Sequence, residues 1–289
     1  MPTPPRRSSS PSGRPDRAGR PARSGRPASA GRPDRSRDAG RAPRDGERAP
    51  RDTNRPPRDT DRGQRRRPVE PQLPDDIAAR DLDRSTRAGL RSLPDELAEK
   101  IARHLVAAGR ALDEDPERAA AHAQFARSLA PRLAVVREAA GVTAYYCADY
   151  AQALAELRAV RRMTGDPSYL PMMADSERGL GRPERALELL ADPAASRLDP
   201  AGRVELSIVA SGARRDLGQP DAAVLALQGP ALDSATVEPW TARLWYAYAD
   251  ALLDAGRTDD ARRWFASVAA IDEDDETDAE ERLAALGES

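Results

Sequence analysis

AGVTAYYCADYAQALAEL, residues 140–157, spaces its small side chains in a way that returns four more times along the chain. Gly141 precedes Ala153 by twelve residues, and Leu157 follows one helical turn later. The same ruler fits Ala107, Ala119 and Ala123, then Ala174, Ala186 and Leu190, then Ser211, Ala223 and Leu227, then Ala249, Ala261 and Phe265. Successive anchoring alanines lie 34, 33, 37 and 38 residues apart, the period of stacked helical hairpins.

Two helices that cross closely need small side chains at the crossing, because anything larger than Ala pushes their axes apart. Between the two small positions the chain must reverse. Gly181, Gly218 and Gly256 each stand five residues before an anchoring alanine, where a helix end calls for a left-handed residue; Ala148 and Glu114 hold that place in the other two units. Pro116, Pro183 and Pro220 follow two residues later and suit the first turn of a helix, where a missing amide hydrogen costs nothing. DPERA, RPERA and QPDAA are thus three versions of one helix start.

Outward from this pattern, hairpins are expected from about Asp95 to Ala130, Leu133 to Met163, Ser168 to Leu190, Arg203 to Leu227 and Pro239 to Ile271, with a closing helix from Asp278 to Leu286. Residues 74–93 read as a capping helix starting near Asp75, with Ile77, Leu82, Leu90 and Leu93 as its apolar edge. Such a cap would cover the open face of the first hairpin. The expected class is all-α, with no place for strands.

Residues 1–73 are different in kind. They hold 14 of the 26 prolines and 20 Arg against 9 acids, a charge of +11, while the remainder carries 26 basic and 39 acidic groups, or -13. With few aliphatic side chains larger than Ala, this stretch is expected to be a disordered basic arm. Guanidinium groups suit phosphates, so the arm offers weak contact with nucleic acid or an acidic partner. It has no aromatic residue to stack on bases and no RNA-binding fingerprint, which favours a solvated tail. No secretory or membrane-spanning stretch is evident, so a cytoplasmic protein with no membrane partner is expected. A single lysine against 45 arginines suggests a high-GC bacterial coding bias.

The 34-residue spacing, the paired small residues and the GxxxxA turn resemble those of tetratricopeptide repeat proteins, of an actinobacterial type, over roughly Pro94 to Leu286. TAYYCADYAQALAEL is the best single match. Departures are visible: Arg103 and Arg137 stand where the first helix should carry a large apolar residue, a place kept in the fifth unit by Trp245, with Tyr248 nearby. The resemblance implies a right-handed superhelical solenoid of about five hairpins, whose first helices line a concave groove for a peptide or partner helix. Glu138, Val142, Tyr145, Tyr146, Asp175, Arg178, Arg215, Arg243, Tyr246 and Asp250 would face it. The family's carboxylate clamp of lysines and asparagines does not carry over, since Lys100 and Asn54 are the sole residues of their types.

Chemistry-bearing patterns are sparse. His104 and His122 belong to no HExxH motif, and no GxSxG turn is present. Cys147 stands alone, which excludes an internal disulfide or a cysteine zinc site. The acidic run at 272–278 lacks the turn glycine and closing glutamate of a calcium loop, and the GxG at Gly179 and Gly181 joins two helices. The expectation is a noncatalytic adaptor or scaffold without metal or cofactor; the alternative is a regulatory or RNA-associated protein whose arm contacts nucleic acid while the repeats recruit a protein.

Overall fold

The computed structural model describes residues 68–272 and 276–287. The basic arm therefore falls almost wholly outside the described residues, and so does its expected contact with nucleic acid. Among the described residues there are twelve α-helices and no strand. Five pairs form hairpins: α2 (Asp95–Ala111) with α3 (Pro116–Leu129), α4 (Ala134–Tyr146) with α5 (Tyr150–Thr164), α6 (Leu170–Gly179) with α7 (Pro183–Leu190), α8 (Pro200–Asp216) with α9 (Pro220–Leu227), and α10 (Thr241–Asp254) with α11 (Thr258–Ala269). Each second helix packs next on the following hairpin's first helix, and α11 packs on the closing α12 (Ala279–Gly287). First helices also meet directly, α2 with α4, α6 with α8 and α8 with α10.

The small residues sit where close crossing requires them. Ala119, Ala153, Ala174, Ala186, Ala223, Ala249 and Ala261 are fully buried, and Ala107, Gly141 and Ser211 are buried as well. At Gly141 a β-carbon would stand 2.8 Å from Leu157 Cδ2, so α5 lies directly on the glycine backbone.

Four of the five turns are copies of one another. Ala148, Gly181, Gly218 and Gly256 have φ of 56°, 70°, 67° and 73°. The next residue's amide reaches back five positions: Asp149 to Ala144 O (2.8 Å), Arg182 to Glu177 O (2.9 Å), Gln219 to Arg214 O (2.9 Å) and Arg257 to Leu252 O (2.9 Å). The left-handed residue bonds three positions back, which completes the Schellman arrangement and satisfies the last helical carbonyls. Among the described residues Ala148 is the only non-glycine with positive φ. The first hairpin turns otherwise: Asp115 N–H bonds Ala111 O at 2.8 Å, and Glu114 is not left-handed. Pro116, Pro183 and Pro220 each open a second helix.

The expected single capping helix from Asp75 is corrected. Instead there is a 3-10 turn, Ala79–Asp81, then an extended Leu82 and a short α1, Arg84–Ala88. Asp83 causes the break, because its carboxylate accepts from Ser85 and Thr86 N–H, both at 2.9 Å, and so starts a new helix. Ile77, Leu82 and Leu90 are nevertheless buried against Ile101, Leu105 and Val136 of α2 and α4, with Leu93 packed beside them. Among the described residues no helix is long and apolar enough to cross a membrane.

Candidate interaction face

The residues expected to line a groove lie on α4, α6, α8 and α10, and seven of the ten bond across a hairpin boundary, four of them to one another in the pairs Tyr145–Asp175 and Arg215–Asp250. Tyr145 on α4 donates its hydroxyl to Asp175 on α6 at 2.6 Å. Arg178, one turn further along α6, bonds Asp175 at 2.7 Å and Asp216 on α8 at 2.8 Å. Arg215 on α8 reaches Asp254 at 2.5 Å and Asp250 at 3.0 Å, both on α10. Asp250 is also held by Arg282 of α12, whose guanidinium lies 5.4 Å from the centre of the Phe265 ring.

These contacts follow the repeat register. Tyr145, Arg178 and Arg215 each stand four residues after their unit's small residue, Gly141, Ala174 or Ser211. Their acceptors in the next unit stand one residue after it, Asp175 and Asp250, or five after it, Asp216 and Asp254. The exception explains itself: in the fourth unit the first of those places is Gly212, where a β-carbon would come within 2.4 Å of Arg178 Cζ. Gly212 makes room for the guanidinium to lie across α8, and Asp216 takes the bond alone.

The other expected residues have separate surroundings. Burial, then the Glu138 carboxylate, push up the phenol of Tyr169 just before α6, and Arg243 pairs with Glu205 on α8. Tyr246 bonds Asp278 and sets its ring edge-on to Phe265. Val142 is half-buried. The tyrosine pair divides: Tyr145 turns inward against Tyr146 and Tyr150, whereas Tyr146 is 47% exposed. Burial, helped by the Asp175 carboxylate, pushes the Tyr145 phenol up well beyond its ordinary range. Burial and Asp278 push Tyr246 up to about 12. Cys147 also has its thiol pushed up by burial, which leaves it a weak nucleophile.

Two buried carboxylates escaped the sequence reading. Glu156 on α5, with 5% of its side chain exposed, accepts from Arg137 of α4 at 2.7 Å and lies 2.5 Å from Arg127 of α3. Glu177 on α6, 1% exposed, is gripped by Arg158 of α5 and lies 3.2 Å from Arg182 in the turn. The repeat register does carry a signal for the first of these. Glu156 stands three residues after its anchoring alanine, where the third and fifth units have Leu189 and Trp264. An acid at an apolar position, with Arg137 at the matching place on the first helix, marks an internal ion pair.

In comparisons with known proteins, no family model and no curated protein matches this chain.

Proposed function

We propose that the chain is a noncatalytic adaptor whose hairpins stack as a solenoid of the tetratricopeptide kind and hold a peptide or partner helix along the face of α4, α6, α8 and α10. The observation that carries this reading is the repeated rung: the same register position in three successive units donates to one or both of the same two positions in the next. A translational rule of this sort belongs to units stacked by a repeated step, and it supports treating the first helices as one surface.

The rungs also limit how a partner docks. Asp175, Arg178, Asp216, Arg215, Asp250 and Asp254 pair among themselves with a net charge of -2, which Arg282 on Asp250 cuts to -1, so only a small negative charge is left to steer association. Affinity then comes from exposed aromatic surface such as Tyr146, and from hydrogen bonds at the edges of the rungs. A weak dependence on salt is expected.

The test is to place a photo-crosslinking residue in the full chain at Val142, on this face, or at Leu225 of α9, which is 65% exposed on a second helix. Specific capture of a partner through position 142, lost on Tyr146→Ala, supports the reading. Capture through position 225 alone would overturn it.

A further inference from the structure

The first hairpin holds a buried titratable pair that the interaction face does not use. His104 on α2 and His122 on α3 are both fully buried, with their Nδ1 atoms 2.9 Å apart. The His104 ring also packs against Phe125, with centroids 4.6 Å apart. Over this pair runs a strap of residues that belongs to no helix. Glu70 accepts from Lys100 at 2.6 Å and lies 3.5 Å from His104 Nε2. Pro71, Gln72, Leu73 and Pro74 then run beside Arg118 and His122 and line with them an open pocket of about 490 Å³, with Leu73 against the apolar core. His122 Nε2 is buried without a partner.

We propose that the His104–His122 pair is a proton-operated fastening for this strap: the neutral pair seats residues 70–74 on α2 and α3, and taking up protons on acidification releases them. Two Nδ1 atoms at 2.9 Å share one proton, one ring donating and the other accepting. With His104 Nε2–H turned to Glu70, His104 Nδ1 accepts from His122 Nδ1–H, and His122 Nε2 keeps its lone pair. A proton added there creates a buried cation with no acceptor. A further proton on His104 Nδ1 sets two N–H groups face to face, so the rings must part.

The surrounding charges disfavour either addition. Glu70 faces the pair from the strap, Lys100 and Arg103 from α2, and Arg118 from α3. Three cations thus oppose one carboxylate, and Lys100 already occupies that carboxylate. Burial, then the neighbouring His104, then Arg118 hold His122 down at about 4, and burial lowers His104 as well. Both values fall below the ordinary 6.5, so the open state binds more protons. The closed strap is therefore fully favoured above about pH 6.5 and loses stability as the pH falls from there toward 4. At about pH 5 the shift of His122 moves the opening equilibrium at most about thirtyfold, less the part due to His104 and Arg118, which stay on α2 and α3 when the strap leaves.

Hydrogen exchange of the full chain tests this, with the Ile77 amide, which donates to Pro74 O at 3.3 Å, as the reporter of the strap, compared against amides of α10 and α11 from about pH 7.5 to about pH 5 and corrected for intrinsic exchange. Protection of the strap should fall about tenfold or more while α10 and α11 stay protected. His122→Asn keeps a donor at the Nδ1 position and cannot titrate, and it should hold the strap closed at the lower pH. Strap protection that persists at about pH 5, that is lost only together with α10 and α11, or that is lost by His122→Asn at the wild-type midpoint overturns the proposal. Should the variant not fold, ring-nitrogen NMR of the wild-type chain decides, since it contains only these two histidines. Midpoints clearly below the ordinary histidine value support the fastening, and ordinary midpoints for both rings overturn it.

Discussion

The second and fifth hairpins solve one packing problem with opposite chemistry. Four residues before the small residue of the first helix, and three after the anchoring alanine of the second, the second hairpin places Arg137 and Glu156 and the fifth places Trp245 and Trp264. One pair is an ion pair at 2.7 Å, the other an edge-on aromatic pair with centroids 5.6 Å apart. The third hairpin uses Leu170 and Leu189 at these places, and the helices still cross over buried small residues. The crossing and the turn thus fix the geometry of a unit, and the neighbouring pair fills what space remains. The apolar residue that Arg137 displaces is replaced by a charge with two anchors, since its Nε also bonds Pro131 O at 2.7 Å.

If the crossing governs, the largest loss comes from enlarging it. Gly141→Leu should cost about 3 kcal/mol in denaturant unfolding, because Leu157 has no room to retreat, and Ala186→Leu should cost nearly as much. Unchanged midpoints for both would contradict the crossing.

Next in size is the filler pair. Glu156→Gln should cost about 2 kcal/mol, since Arg127 and Arg137 lose their common anion while only partly reached by water. The double change Arg137→Leu with Glu156→Leu, which copies the third hairpin, should recover most of that and fall within about 1 kcal/mol of the parent. A double variant as unstable as the sum of its singles would mean that the ion pair itself specifies the packing.

The turns give smaller effects of opposite sign. Gly218→Ala should cost about 1 kcal/mol, as Ala is then forced into the left-handed region, whereas Ala148→Gly should stabilise by up to about 1 kcal/mol. Tyr145→Phe, which removes one rung and leaves the ring in place, should cost about 0.5–1 kcal/mol. It should also increase hydrogen exchange at the start of α6 more than in α10.

Backbone requirements were the legible part of this chain. Small crossings, left-handed turn residues and prolines at helix starts impose their cost on the residue that occupies the position, so their spacing locates five turns and identifies Ala148 as the place for a left-handed residue, although the same ruler also pointed to Glu114, which is not left-handed. The cap was misread because Ile77, Leu82 and Leu90 fit a loose helical edge, while Asp83 interrupts the backbone between them through a local bond. The ten candidate residues were legible as positions on successive first helices. Their bonding was not, because rungs join residues from 30 to 39 apart, and no local pattern says whether an exposed-looking Arg meets solvent or an acid on the next unit. The histidines carried too little pattern for their pairing to be read: each fits the surface of its own helix, and their contact exists only after α2 and α3 have closed on each other.

Asp250 is the one carboxylate on this face held from both directions, by Arg215 of the fourth hairpin and by Arg282 of the closing helix. Fraying of α12 would therefore not stay at the C-terminal end. As Arg282 departs, the carboxylate is free to reorient toward Arg215, and the boundary between α8 and α10 adjusts with it. The last helix thereby communicates with a hairpin two units away through a single side chain, giving the end of the chain cooperativity that nearest-neighbour packing alone would not supply.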